Sequence, residues 1–256
     1  MAVTEEMKTR DGIDGVLSGH LLEQWEEYAT IYRDSFGELS VFQGFAKKLE
    51  EYLLPVLEGV VLDGGCGPGL NFERIIRATE PLRIIGLDIS PKMLEGAGET
   101  KKKLAQKYQC QIDLKEADLC EGIPFPENTF NAQIFHLVFY YLPKGEWKNV
   151  LSEAFRVAKP GGYVISSNAL KRFDFKKEIG ILWLIKEVLL HPKAVYLSMT
   201  KVRPILVEFQ ELEEKGVLRY PTKKDLMSFH YELGFEKVVC KDIWRNMIMI
   251  RAHKPE

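Results

Sequence analysis

Little in this chain points to metal, disulfide or membrane-spanning chemistry. Its four cysteines, Cys66, Cys110, Cys120 and Cys240, are widely spaced over 256 residues and form no CxxC pair. That argues against a disulfide framework or a zinc site and leaves reduced, structural thiols; no metal is expected. Net charge is nearly absent, with 35 basic against 37 acidic residues and a formal charge of -2, which argues against a broad nucleic-acid-binding face. The first residues, Met1 to Asp14, carry charges of both signs and no apolar run, so no secretory signal is expected and a cytoplasmic protein is. The apolar stretch Ile179 to Leu190 is short of the roughly 20 residues that a bilayer span needs.

What is present fits one sizeable α/β domain with elaborations: 46% of residues are hydrophobic and 28% charged. The apolar pattern alternates strand and helix. Val60 to Asp63 reads as a first strand and Leu70 to Ala78 as its helix. Arg83 to Asp88 reads as a second strand, with a helix from Pro91 to about Tyr108, and Cys110 to Ala117 as a third, more exposed strand. Asn131 to Val138 is nearly continuous in apolar residues, as a strand buried on both faces would be. A helix over Lys144 to Ala158 stops at Lys159-Pro160-Gly161-Gly162, followed by a fifth strand from Tyr163 to Ser167. After a helix at Lys223 to Leu233, two strands, Phe235 to Ile243 and Asn246 to Ala252, read as a closing antiparallel hairpin. Such alternation implies a parallel sheet with helices on both faces.

Acids at the strand ends carry the chemistry. Asp63 closes the first strand and precedes the glycine turn Gly64-Gly65-Cys66-Gly67-Pro68-Gly69, where backbone approaches a ligand without Cβ obstruction. A dinucleotide fingerprint would space its glycines G-x-G-x-x-G; this turn is one residue tighter. A carboxylate before it suits a ligand ammonium better than a pyrophosphate, which it would repel. Asp88, ending the second strand, is placed to accept from two ribose hydroxyls, and Asp118, after the third, from a purine amine. Ammonium, ribose and adenine in that order describe S-adenosylmethionine. A nicotinamide-dependent oxidoreductase is disfavoured on the same spacing.

The stretches Val61 to Gly69, Gly86-Leu87-Asp88-Ile89-Ser90, Ala117-Asp118-Leu119 and Arg156 to Gly162 together resemble class I S-adenosylmethionine-dependent methyltransferases of small-molecule type, similar to those of ubiquinone and menaquinone biosynthesis. The resemblance covers roughly residues 56 to 168. It implies a doubly wound Rossmann-like seven-stranded sheet of order 3-2-1-4-5-7-6 with strand 7 antiparallel. It implies too that Asp63 and the backbone of Gly64, Gly65 and Gly67 lie near the methionine moiety and Asp88 on the ribose. Ile89 and Leu119 would sandwich the adenine, with Asp118 on its amine and His136 near the sulfonium, and Met93 would be a further cofactor-binding residue. An aromatic helical cap over residues 15–55 would fold onto the cofactor, which makes Tyr28 and Tyr32 candidate contacts.

Methyl transfer requires a base only when the acceptor must lose a proton, and His136 and Tyr140 are the candidate catalytic groups. Phe139-Tyr140-Tyr141-Leu142-Pro143 stands where many amino-directed methyltransferases carry an Asn-Pro-Pro-Tyr-type stretch, so a small acceptor is expected and nucleic acid is not. The segment 171–216 is too long for an ordinary connection and is expected to be a helical lid. Within it 178–192 is apolar around most of a helix and flanked by lysines and arginines. It reads either as a buried lid helix or as a greasy acceptor pocket or anionic-membrane contact for a lipid-like acceptor such as a quinone precursor. The acceptor atom, carbon, oxygen or nitrogen, and the oligomeric state are not written in these motifs. A non-catalytic S-adenosylmethionine-binding protein is the alternative reading.

Overall fold

Strands that are apolar on both faces need helices on both sides of their sheet, and the computed structural model has that architecture. It describes residues 40–56, 59–171, 188–197, 219–244 and 246–256, together with residues 23, 26, 28, 29, 32, 186, 200, 207, 210, 211, 213 and 214. In chain order the elements are α1 (Ser40–Glu50), β1 (Val60–Gly64), α2 (Phe72–Thr79), β2 (Arg83–Asp88), α3 (Pro91–Leu104), β3 (Gln111–Glu116) and β4 (Phe130–His136). These are followed by α4 (Trp147–Val157), β5 (Ala158–Ala169), α5 (Pro192–Leu197), α6 (Lys223–Glu232), β6 (Glu236–Trp244) and β7 (Met247–His253). The sheet order is β3-β2-β1-β4-β5-β7-β6. β1 to β5 are parallel and β7 is antiparallel to both β5 and β6.

Alternation along each strand sorts the core into two layers. On one face Val61, Ile84, Ala132 and Ile165 pack against Leu49 of α1, Phe72 and Ile75 of α2 and Ala97 of α3. On the other, Leu62, Leu87, Phe135 and Val164 pack against Trp147 and Leu151 of α4 and Leu226 of α6. Asp63 shares the first face with Val61, two residues before it. His136 lies two residues beyond Ile134 on that same face, so one side of the carboxyl edge collects the polar groups.

β4 ends at His136, two residues short of the expected Val138, and the largest departure from the sequence expectation is in β5, which also runs on to Ala169. β5 begins at Ala158, so the Lys159-Pro160-Gly161-Gly162 stretch that reads as a turn lies inside a strand. A bulge between the Phe130 and Ala132 pairings accommodates it, and the Gly161 amide bonds to the carbonyl of Lys254 beside the end of β7. The cap expected over 15–55 is described at α1 and at Glu23, Glu26, Tyr28, Ala29 and Tyr32, all helical. Most of the lid expected over 171–216, including 178–185, lies outside the described residues, as does Arg245 of the final hairpin. Among the described residues no helix is long and apolar enough to cross a membrane.

Candidate functional site

A cavity of about 260 Å³ opens at the carboxyl ends of β1, β2 and β4, where open α/β sheets place their ligands. Its floor is the glycine turn. Gly65 and Gly67 have φ of 69° and 53°, a left-handed conformation that only glycine adopts cheaply. A Cβ on Gly67 would meet nothing within 4 Å, so this backbone faces open space. Gly64 is constrained differently: a Cβ there would come 2.5 Å from the ring of Phe135, so packing under the turn excludes any larger side chain.

The turn is tied to the end of β2. The Cys66 amide donates to the Leu87 carbonyl at 2.8 Å, and the Gly67 amide donates to Asp88 Oδ2 at 2.8 Å. Asp88 Oδ1 accepts from the Ser90 amide at 3.0 Å. Burial raises the Asp88 pKa, against the lowering effect of these amides. Asp118 on the cavity wall accepts from the Cys120 amide through Oδ1 at 2.8 Å, and Oδ2 makes no hydrogen bond among the described residues. Ile89, Met93 and Leu119 supply apolar wall between these two acids.

Asp63 is 1% exposed, lies beneath the cavity rather than on its wall, and neither carboxylate oxygen has a hydrogen-bond partner among the described residues. Burial, with a smaller push from the Asp88 charge, raises its pKa to about 8. A buried acid with no donor is costly unless protonated or supplied with a cation. The residues therefore suit a ligand that brings an ammonium to the glycine turn.

The opposite wall comes from the end of β4. His136, Leu137 and Val138 line the cavity, and Leu137 takes a left-handed φ of 61° that ends the strand. His136 Nδ1 lies 2.6 Å from Ser167 Oγ. Burial, helped by the Arg74 charge, lowers the His136 pKa to about 4, so the ring is neutral at physiological pH. Tyr141 also lines the cavity. Tyr140 does not: its hydroxyl bonds that of Tyr141 at 2.9 Å and its ring stacks on Tyr220 with centroids 5.6 Å apart. Burial raises both phenol pKa values, which keeps these tyrosines protonated and unsuited to act as bases.

Of the sequence-derived candidates, Tyr32, Gly65, Gly67, Asp88, Ile89, Met93, Asp118, Leu119 and His136 line one cavity, whereas Tyr28, Asp63, Gly64 and Tyr140 do not line it. Tyr28 is buried. The pKa of Tyr32 rises to about 12 through burial and the nearby Asp88 charge.

Residues that the motifs did not flag complete the wall: Gln43, Asn71 and Arg74. Arg74 donates to Gln43 Oε1 and to the Leu70 carbonyl at 3.0 Å, and its Nε stands 3.5 Å from Glu50. Asn71 and Arg74 are three apart, one helical turn past the glycines, a spacing readable in the sequence. Glu26 was equally unflagged: it accepts from the Ser90 hydroxyl and from the Lys92 amide at 3.2 Å, tying the N-terminal segment to the start of α3.

A family model described as a methyltransferase domain matches residues 61–162. Over 140 residues the chain is 27% identical to a probable methyltransferase, ltbC, of Aspergillus luteorubrus, covering 52% of this chain and about half, 49%, of that protein. Over 191 residues it is 27% identical to the demethylmenaquinone methyltransferase of Oceanobacillus iheyensis, covering 70% of this chain and 71% of that one. The fold is shared with phosphoethanolamine N-methyltransferase 2 of Haemonchus contortus, solved in complex with S-adenosyl-L-methionine. The TM-score is 0.63 at 13% identity, over 91% of this chain and 60% of that one.

Proposed function

We propose, for a chain whose residues 61–162 match a methyltransferase-domain family model, that it binds S-adenosylmethionine in this cavity and methylates a small apolar acceptor. The observation that carries the cofactor reading is Asp63, a buried carboxylate without a donor beneath a glycine turn whose backbone faces open space. In this reading the ammonium of the methionine end answers Asp63 across the turn. Asp88 accepts from the ribose hydroxyls through lone pairs left over from the Gly67 and Ser90 amides. Asp118 Oδ2 accepts from the adenine amine, and Ile89, Met93 and Leu119 hold the ring. Tyr32 closes the site from the N-terminal side. When bound, the cofactor supplies an electrophilic methyl group on a sulfonium, which an acceptor's electron pair displaces to leave S-adenosylhomocysteine.

The chain's own part is to hold an acceptor in line and exclude water, which supplies much of the rate. Leu137, Val138, Tyr141, Leu142 and Pro143 make an apolar acceptor wall suited to an aromatic or quinol-like ring. Demethylmenaquinone methyltransferase among the relatives favours an acceptor of that class. The exposed Val188, Leu189, Leu190 and Tyr196, at 45%, 75%, 60% and 66%, stand beside Lys186 and Lys193. They support transient contact with an anionic membrane surface from which such an acceptor is drawn.

Titration calorimetry with S-adenosylmethionine, S-adenosylhomocysteine and NAD tests the cofactor. Binding of the first two and not NAD is expected, and NAD binding alone overturns the reading. A labelled-methyl screen over aromatic, quinol and amine acceptors tests the chemistry. Co-sedimentation with anionic and zwitterionic vesicles tests the surface, with L189S/L190S expected to reduce the anionic fraction.

A further inference from the structure

We infer that Ser167 fixes His136 as the Nε2–H tautomer, so that the imidazole faces the acceptor as a hydrogen-bond donor and not as a base. The inference deepens the methyltransferase reading and rests on it for the word acceptor, though the tautomer itself does not.

His136 and Ser167 are direct partners across the β4–β5 pairing. Ser167 is fully buried. Its Oγ is 3.1 Å from the Leu137 amide, which also donates to the Ser167 carbonyl at 3.0 Å. An amide can only donate, so Oγ is the acceptor there and its own hydrogen must find another partner. Among the described residues the sole acceptor within reach of that hydrogen is His136 Nδ1, at 2.6 Å.

Were Nδ1 to carry the proton, Oγ would accept twice and leave a buried O–H with no partner. A buried unsatisfied hydroxyl of this kind shifts an equilibrium by about 10- to 100-fold. Nδ1 is therefore the acceptor, and the ring's proton sits on Nε2. That nitrogen makes no hydrogen bond among the described residues and belongs to a ring on the cavity wall. The low pKa of His136 keeps the ring neutral, so a single tautomer describes it.

The consequence reaches the acceptor class. Tyr141, which lines the same cavity as His136, is held protonated by burial, and Asp88 and Asp118 are the groups given above to the cofactor. The acceptor wall thus offers donors and no base. An acceptor that suits it arrives with its nucleophile already formed, its acidic proton lost to water, and presents an oxygen that accepts from Nε2–H. Ionised phenols, quinols and enolates have that chemistry; ammonium groups and unactivated alcohols do not. Ser167 is a positioning residue in this scheme.

The test is spectroscopic. In protein labelled with ¹⁵N-histidine and free of ligand, long-range ¹H–¹⁵N correlation should show His136 protonated at Nε2 and bare at Nδ1, the signal being assigned by its loss in H136Q. An Nδ1–H pattern overturns the inference. S167A should give a mixture of both tautomers and S167T should restore the single one; unchanged spectra in S167A overturn the role of Ser167. With 1,4-naphthalenediol as acceptor probe, H136Q, whose amide donates from the same place but cannot take a proton, should lose less than tenfold in turnover and H136F more than a hundredfold. Equal losses overturn donation. Absence of S-adenosylmethionine binding would instead remove the functional reading and leave the tautomer result standing.

Discussion

Asp88, at the end of β2, accepts the Gly67 amide at 2.8 Å, so the acid placed for a ribose also holds the glycine turn at the end of β1. One carboxylate shapes the floor of the cavity and leaves lone pairs for its contents. Replacing it with an amide turns one acceptor into a donor that faces the Gly67 or Ser90 N–H. D88N is expected to cost about 1–3 kcal/mol of stability and to weaken S-adenosylmethionine binding by more than tenfold. Denaturant melts and calorimetry measure the two losses; a full loss of affinity at unchanged stability would mean that Asp88 acts on the ligand alone.

Asp63 makes stability depend on pH in an unusual direction for an acid. Its folded pKa of about 8 lies above the ordinary 3.8, so between those values the folded state holds a proton that the unfolded chain has released. Stability attributable to this group is present below pH 4 and lost as pH rises toward 8, by an amount on the order of 6 kcal/mol. D63N should flatten that slope in melts compared between pH 5 and 8.

Cofactor binding should release the same proton. When an ammonium reaches Asp63 the carboxylate ionises, so calorimetry at pH 7 in buffers of different ionisation enthalpy is expected to report release of close to one proton. In D63N the release should vanish while affinity falls, because an amide does not balance the ammonium. Proton uptake would contradict the assignment.

Gly64 tests packing rather than chemistry. A methyl group there meets the Phe135 ring at 2.5 Å, and that ring is itself fixed edge-on to Phe139 at 6.0 Å. G64A is expected to destabilise by about 1–3 kcal/mol, read as a lower melting midpoint, with cofactor affinity reduced through displacement of the turn.

Glu26 ties the N-terminal segment to Ser90 and Lys92, next to Asp88. E26A should speed S-adenosylmethionine dissociation severalfold in stopped-flow displacement, with little change in the melting midpoint, because the bond closes the site more than it holds the core. An unchanged release rate would separate this segment from the cofactor.

The strand–helix alternation and the run of acids at the strand ends were legible because buried parallel strands carry continuous apolar runs, and glycine turns carry their own punctuation; the sheet order came only from the family resemblance. The start of β5 was not, since a bulge against β4 overrides the local turn signal of Pro160 and Gly161. The cavity's use of Tyr141 in place of Tyr140 depends on a single 3-10 turn, Phe139–Tyr141, whose rotation a linear pattern does not encode. Ser167 and Glu26 escaped notice for a stronger reason. Their partners, His136 and Ser90, are 31 and 64 residues distant, and only strand register and tertiary docking bring them together.

β7 lies between β5 and β6 and is antiparallel to both. During synthesis β5 therefore waits with a bare edge through the whole of 170–246, and β6 emerges before the strand it must pair with. Late closure of this kind raises contact order and leaves unpaired backbone on a nascent chain. The seven residues Met247–His253 thus govern when the domain becomes resistant to aggregation, and a ribosome stalled just before them would hold a five-stranded sheet with its growing edge open.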